Sequence, residues 1–160
     1  MSLHTTDLHD KHGGRLTLVE PIFRQFGKKR IFSGPISTVK VFEDNVLVKK
    51  ALETIPEGSV LVVDGAGSKR VALMGDNLAE IAVTRNLAGI IIFGCIRDSA
   101  QINEMNIGIF ALGTVPIKSI KVGKGQSNVP VQFAGVNWEP GHIVYADEDG
   151  ILLSEEVLTL

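Results

Sequence analysis

Short apolar runs, separated by glycine, proline and polar turns, recur along the chain and predict many strands joined by brief connections. Within 31–42, Ile36, Thr38 and Lys40 alternate with Ser37, Val39 and Val41, the period of a strand. Asp44 or Asn45 is placed to cap a helix running to about Thr54, with Val46, Leu47, Ala51 and Leu52 as its apolar face. Pro56-Glu57-Gly58 makes a turn, and the unbroken run Ser59-Val60-Leu61-Val62-Val63 reads as a strand buried on both faces. After the glycine-rich turn Asp64-Gly65-Ala66-Gly67-Ser68, residues 71–74 form another short strand. Gly75-Asp76-Asn77 opens a helix ending near Asn86, and 90–93 is the next buried strand. A short helix over 99–105 and a strand over 109–112 follow. The tail turns to strands at 129–133, 142–146 and 151–153, with Asp147-Glu148-Asp149-Gly150 as the hairpin turn between the last two. The class is α/β: a mixed β core with flanking helices on one side.

The 160 residues suit one domain, so 1–160 is read as a single unit. Hydrophobic residues make up 44%, enough for a core, and the 21% charged fraction is too low for a disordered chain. A net charge of -2 offers no basic face for direct nucleic-acid binding, and Lys28-Lys29-Arg30 reads as a solvated loop. No apolar run approaches the ~20 residues of a membrane helix. Residues 1–15 lack the apolar stretch of a secretory signal. The single cysteine, Cys95, cannot form an intrachain disulfide, which fits a reducing compartment; a cytoplasmic location is expected.

Two loops are candidates for chemistry, because ligands in layered α/β folds gather at strand C-termini beside helix starts. The first is Gly75-Asp76-Asn77-Leu78, where backbone amides and the helix dipole favour an anion such as a carboxylate. Read structurally, Asp76 there is only a helix cap. The second is Gly94 to Asp98, in which Arg97 can grip a carboxylate through its planar fork and Asp98 can hold a hard divalent cation. Read structurally, that pair is a capping Asp and an Arg in an ordinary ion pair. If the strands preceding the loops are neighbours, both loops face one pocket. Other motifs are weaker. Gly65-Ala66-Gly67 lacks the third glycine of a dinucleotide loop. His4, His9, His12 and His142 have no zinc-like spacing. Cys95 reads as packing, and Lys69, beside Arg70 in a polar loop, is a poor Schiff-base lysine.

Taken together, several segments make the chain similar to the RraA-like family, which joins the regulator of ribonuclease activity A to the metal-dependent 4-hydroxy-4-methyl-2-oxoglutarate aldolases. They include Val19-Glu20-Pro21, Phe42-Glu43-Asp44-Asn45, Leu61-Val62-Val63-Asp64-Gly65 and Gly94-Cys95-Ile96-Arg97-Asp98. Phe133-Ala134-Gly135-Val136 and Tyr145-Ala146-Asp147-Glu148-Asp149-Gly150-Ile151 extend the likeness over nearly the whole chain.

The resemblance implies a swivelling β/β/α domain and a homotrimer with sites near subunit interfaces. It also implies two activities. One is a class II, divalent-metal-dependent lyase, using Mg or Mn, that cleaves 4-hydroxy-4-methyl-2-oxoglutarate to pyruvate and decarboxylates oxaloacetate through the same pyruvate enolate. The other is binding and inhibition of ribonuclease E without catalysis. In the aldolase pattern Arg97 contacts substrate, Asp98 serves the metal, and Gly75, Asp76, Asn77 and Leu78 bind substrate. Some regulators replace the Asp that is Asp98 here, and aldolases are expected to carry Leu where this chain has Asn77. The general base is not identified by the sequence; a water positioned by Asp76 or Asp98 is the candidate. Trp138, in the β-rich tail, is expected to lend apolar surface to the trimer contact.

Overall fold

The computed structural model describes residues 4–160. In chain order, the first half contains α1 (Thr5–His12), β1 (Thr17–Leu18), β2 (Arg24–Phe26), β3 (Phe32–Lys40), α2 (Val46–Thr54), β4 (Val60–Asp64), β5 (Ala72–Met74) and α3 (Asp76–Thr84). The second half contains β6 (Gly89–Ile96), α4 (Ser99–Ile102), β7 (Ile109–Thr114), β8 (Gln126–Ser127), β9 (Val131–Phe133), β10 (Val136–Trp138), β11 (Ile143–Asp147) and β12 (Gly150–Ser154).

A curled mixed sheet runs β1-β12-β11-β3-β4-β6-β7-β2. Its centre, β3-β4-β6-β7, is parallel, while β2 and the β11-β12-β1 arm are antiparallel. Strands β4 and β6 carry the unbroken apolar runs because both of their faces are covered. One face sends Leu61, Val63, Ile90 and Ile92 against Val48, Leu52, Ala79 and Ala82 of α2 and α3. The other sends Val60, Val62 and Ile91 against Val131, Phe133, Trp138 and Val144. Burying each large aliphatic side chain is worth about 1.5–3 kcal/mol.

The layers are therefore β, β and α, as expected, but the helices are not all on one side. Helix α1 packs Leu8 with Ile143, Tyr145 and Leu152, on the outer face of the β11-β12 hairpin. Asp147 accepts bonds from the backbone amide and the hydroxyl of Thr5, both at 2.8 Å, and so ties the start of α1 to that hairpin. Trp138 lies fully inside the protomer, stacked on Phe133 with its Nε1 donating to the Phe133 carbonyl. It therefore offers no surface to another subunit. Among the described residues, no helix is long and apolar enough to cross a membrane.

Strand β6 is longer than its apolar core suggests, running through Gly94 and Cys95 to Ile96. Its first half pairs with β4 and its last residues with β5. The glycine-rich turn makes this exchange possible. The amides of Gly65 and Gly67 both donate to the Phe93 carbonyl at 3.1 Å. A Cβ on Gly65 would sit 2.5 Å from Leu73 and 2.8 Å from that carbonyl. The turn is packed shut against β6 and is not a nucleotide loop.

Candidate functional site

Because β5 and β6 are parallel neighbours, with Met74 opposite Ile96, the two loops that follow them emerge side by side. The Arg97 amide donates to the Met74 carbonyl at 2.9 Å, locking one loop to the other. Gly75, Asp76, Asn77, Leu78, Arg97 and Asp98 all line one cavity of ≈ 340 Å³.

Asp98 adopts a left-handed backbone conformation, φ 59°, which Asp tolerates better than most residues. That turn aims its carboxylate back across the cleft, where Oδ2 accepts the Asp76 amide at 3.0 Å. Asp98 thus caps α3, the helix of the neighbouring loop, where the helix dipole favours its charge. Asp76 is the first helical residue and Gly75 occupies the cap position, so the reading of Asp76 as the cap is corrected. The amides of Asn77 and Leu78 lie in the first turn and have no carbonyl four residues back to bond. Gly75 is needed for space, not torsion: a Cβ there would stand 2.5 Å from Asp98 Oδ2 and 3.4 Å from Arg97 Cγ.

Arg97 makes no ion pair with any carboxylate of the described residues, which sets aside the ordinary-ion-pair reading. An uncompensated, half-buried guanidinium beside free helix amides is an arrangement that binds a carboxylate. Cys95 is buried, and burial pushes its thiol up despite the opposing charge of Lys69, so it packs and does not attack. His4 and His9 are exposed, and the His12 ring meets the Thr159 carbonyl at 2.6 Å. Among the described residues, no three His, Cys, Asp or Glu converge as a metal cluster.

Sequence reasoning missed the opposite wall. Asn45, Lys49, Lys118, Ser119 and Lys121 line the same cavity. Residues 117–124 form an extended strap held at both ends. The Ala72 amide donates to the Ile117 carbonyl at 2.7 Å, and Ile120 exchanges backbone bonds with Glu43 and Asn45. Asp44 accepts the amides of Val122, Gly123 and Lys124 on Oδ2 and that of Val46 on Oδ1. Burial pushes the Asp44 carboxyl up, but these four amides together outweigh it and hold the group below the usual carboxylate range. Asp44, and not Asn45, therefore caps α2 with its side chain, leaving Asn45 Oδ1 to accept Lys121 Nζ at 2.9 Å. The only advance sign was the density of lysines in 116–124.

A larger cavity of ≈ 720 Å³ opens beside Arg15, Glu139 and His142. Its Arg15 already faces Glu156 at 3.6 Å, and it gathers no comparable set of free donors.

The profile of the RraA-like family, described as Aldolase/RraA, matches residues 5–153. A Bacillus cereus protein provisionally named 4-hydroxy-4-methyl-2-oxoglutarate aldolase is 56% identical over 154 residues, 96% of this chain and 97% of the relative. The structure of the Thermus thermophilis RNA-processing inhibitor RraA superposes with a TM-score of 0.94 at 43% identity, over 99% of this chain and 96% of that one. A Geobacillus kaustophilus structure, named S-adenosylmethionine: 2-dimethylmenaquinone methyltransferase, gives a TM-score of 0.96 at 58% identity, over 98% and 97% of the two chains.

Proposed function

This chain belongs to the RraA-like family, and on that footing we propose that it is a divalent-metal-dependent lyase that cleaves 4-hydroxy-4-methyl-2-oxoglutarate to two molecules of pyruvate. The observation that carries the reading is Arg97, a guanidinium without an ionic partner among the described residues, facing the same cavity as the α3 amides and Asp98. Retro-aldol cleavage breaks the C3–C4 bond of the substrate. The C4 hydroxyl loses its proton and becomes the carbonyl of one pyruvate, and the bond electrons form the enolate of the other. Decarboxylation of oxaloacetate leaves the same enolate after loss of carbon dioxide, so both activities are expected of one site.

Asp98 and Asp76 suit a hard cation that keeps waters and substrate oxygens in its shell, since such ions need only one or two protein carboxylates. Asp98 would hold it, with Asp76 beside it; the fit is to magnesium or manganese, not to zinc. When bound, such an ion supplies Lewis-acid charge at the 2-oxo group. Arg97 stabilises the carboxylate and the oxyanion that develops as the bond breaks. The Asn77 and Leu78 amides hold the remaining carboxylate oxygen. A water positioned by Asp76 or Asp98 would take the hydroxyl proton and return it to C3 of the enolate, which completes the second pyruvate. The methyltransferase name of the Geobacillus relative fits this chain less well, because the glycine-rich turn that would greet an adenosyl donor is filled by Phe93.

Phe42, Ile117, Ile120 and Val122 are exposed, and the last three alternate along the strap with the lysines that line the cavity. We assign this apolar surface to the contact of a homotrimer, for which light scattering should return about three times 17.2 kDa. A second reading, a regulator that binds ribonuclease E, is favoured by the likeness to the Thermus inhibitor. The buried, unpaired Cys95 suits a cytoplasmic protein under either reading.

The deciding experiment measures pyruvate from both substrates with magnesium or manganese, with and without chelator. Chelator should abolish turnover, and Arg97→Ala should lower kcat/KM about 10²- to 10³-fold. Absence of pyruvate with every divalent metal overturns the lyase reading in favour of the regulator.

A further inference from the structure

The ribbon of β9 and β10 stands apart from the main sheet, and β10 pairs with β9 alone. Its turn fixes which backbone groups that pairing uses. Ala134 and Gly135, both at positive φ, make the tight two-residue connection, so the flanking Phe133 and Val136 exchange hydrogen bonds. Hydrogen-bonded and open pairs alternate along an antiparallel ladder, so Trp138 bonds to Val131 and Asn137, between them, does not bond to Gln132. Asn137 therefore turns its N–H and C=O to the outer edge of β10, where no strand meets them.

That edge borders the ≈ 720 Å³ cavity, which Val136, Asn137 and Glu139 line on one side and Thr17 on the other. No residue of β9 reaches it, and Leu153 lends it an apolar wall. Its rim is acidic. Glu139 and Glu155 pair with no cation of the described residues, and Glu156 shares Arg15 at 3.6 Å. Three carboxylates against one guanidinium leave a surplus of two negative charges around an unused strand edge.

We propose that this cavity is a strand-addition site, where an extended basic segment of another protein pairs with the outer edge of β10 as a third strand. A two-stranded ribbon is marginal by itself, and a third strand completes it. Side chains alternate along such a segment, so apolar residues turn inward toward Leu153 while Lys or Arg at every second position meets Glu139 and Glu155. Backbone bonds to Asn137 supply the pairing, and the rim charges choose a basic segment over an acidic one. The site shares no residue with the Arg97 cavity, and its existence does not depend on the lyase reading.

The test is fluorescence anisotropy of the whole protein with labelled eight-residue peptides, blocked at both ends. One alternates lysine with valine, one alternates glutamate with valine, and two are copies of the first, N-methylated at every lysine or at every valine. The lysine peptide should bind and the glutamate peptide should not. Only one edge of an added strand faces β10, so one N-methylated copy should bind roughly tenfold more weakly and the other nearly as well as the parent. Glu139→Gln with Glu155→Gln should weaken the lysine peptide roughly fivefold at low salt and less as salt is raised. Hydrogen exchange at the Asn137 amide, followed by NMR, should slow when the peptide is bound. No binding by the lysine peptide, equal effects of the two N-methylations, or unchanged exchange at Asn137 overturns strand addition. Binding that survives the loss of both carboxylates overturns the basic partner.

Discussion

Replacing Gly75 by alanine adds one methyl group at the narrowest point of the cleft. The added Cβ would stand 2.5 Å from Asp98 Oδ2, 3.4 Å from Arg97 Cγ and 3.5 Å from Arg97 Nε. Gly75 has φ -125°, ordinary extended backbone, so the substitution carries no torsional penalty. The strain must be relieved by the side chains, and the carboxylate end of Asp98 is the part free to move. Restoring van der Waals distance shifts it by about 1 Å and breaks its 3.0 Å bond to the Asp76 amide. A charge-assisted bond of this kind is worth about 1.5–3 kcal/mol when buried. Asp98 is only partly buried, so a loss near 1 kcal/mol is expected, or roughly 2–4 °C in Tm for a chain of this size. Catalysis should suffer more, since a displacement of about 1 Å in an active site typically costs ~10²-fold. The assay pairs thermal unfolding with kcat/KM for pyruvate formation, using Gly14→Ala as control because nothing lies within 4 Å of a Cβ there. A Gly75→Ala protein with kcat/KM within threefold of wild type would refute the placement of Asp98 and Arg97 at the reacting centre.

Three further outcomes are expected. Asp44→Asn should destabilise the protein at neutral pH, and the gap to wild type should close on acidification. The folded-state pKa of Asp44 is depressed, so its contribution is present above the unfolded value of about 3.9 and lost as pH falls through the folded one; a Tm difference that does not change from pH 7 to pH 3 would contradict this. Trp138→Ala should cost about 3–5 kcal/mol in denaturant unfolding, because the ring is fully buried within one protomer; a small loss in the monomer with a weakened assembly would instead return Trp138 to the surface. Arg97→Ala and Asp98→Asn should sharply lower lyase activity yet leave any ribonuclease E binding intact, because a protein partner reads outer surface while these residues face a cavity; joint loss with the assembly preserved would show that the two sites overlap.

Local pattern was sufficient for the elements around the site. The apolar runs at 60–64 and 89–96 are strands because only a sheet covered on both faces buries such segments, and the helices after Asn45 and Gly75 follow from apolar residues at helical spacing. The two candidate loops were legible for the same reason: each follows an apolar strand, and all six of their expected residues meet at one cavity. Pairing between distant segments was not legible. Helix α1, whose apolar content is little more than Leu8, is secured by Asp147 from the far end of the chain. Trp138 looks the same in sequence whether it fills its own core or a neighbour's, and only the stacking on Phe133 decides. The strap at 117–124 has no regular period, because its backbone bonds go in turn to Ala72, Glu43, Asn45 and the Asp44 carboxylate instead of to a repeating ladder. Nothing in the local sequence marks its lysines as part of a site; the fold lays Lys118 and Lys121 against the loop that carries Arg97. Periodicity records which face of an element is buried; which elements then touch, and hence which charges share a cleft, is set by packing across long separations in the chain.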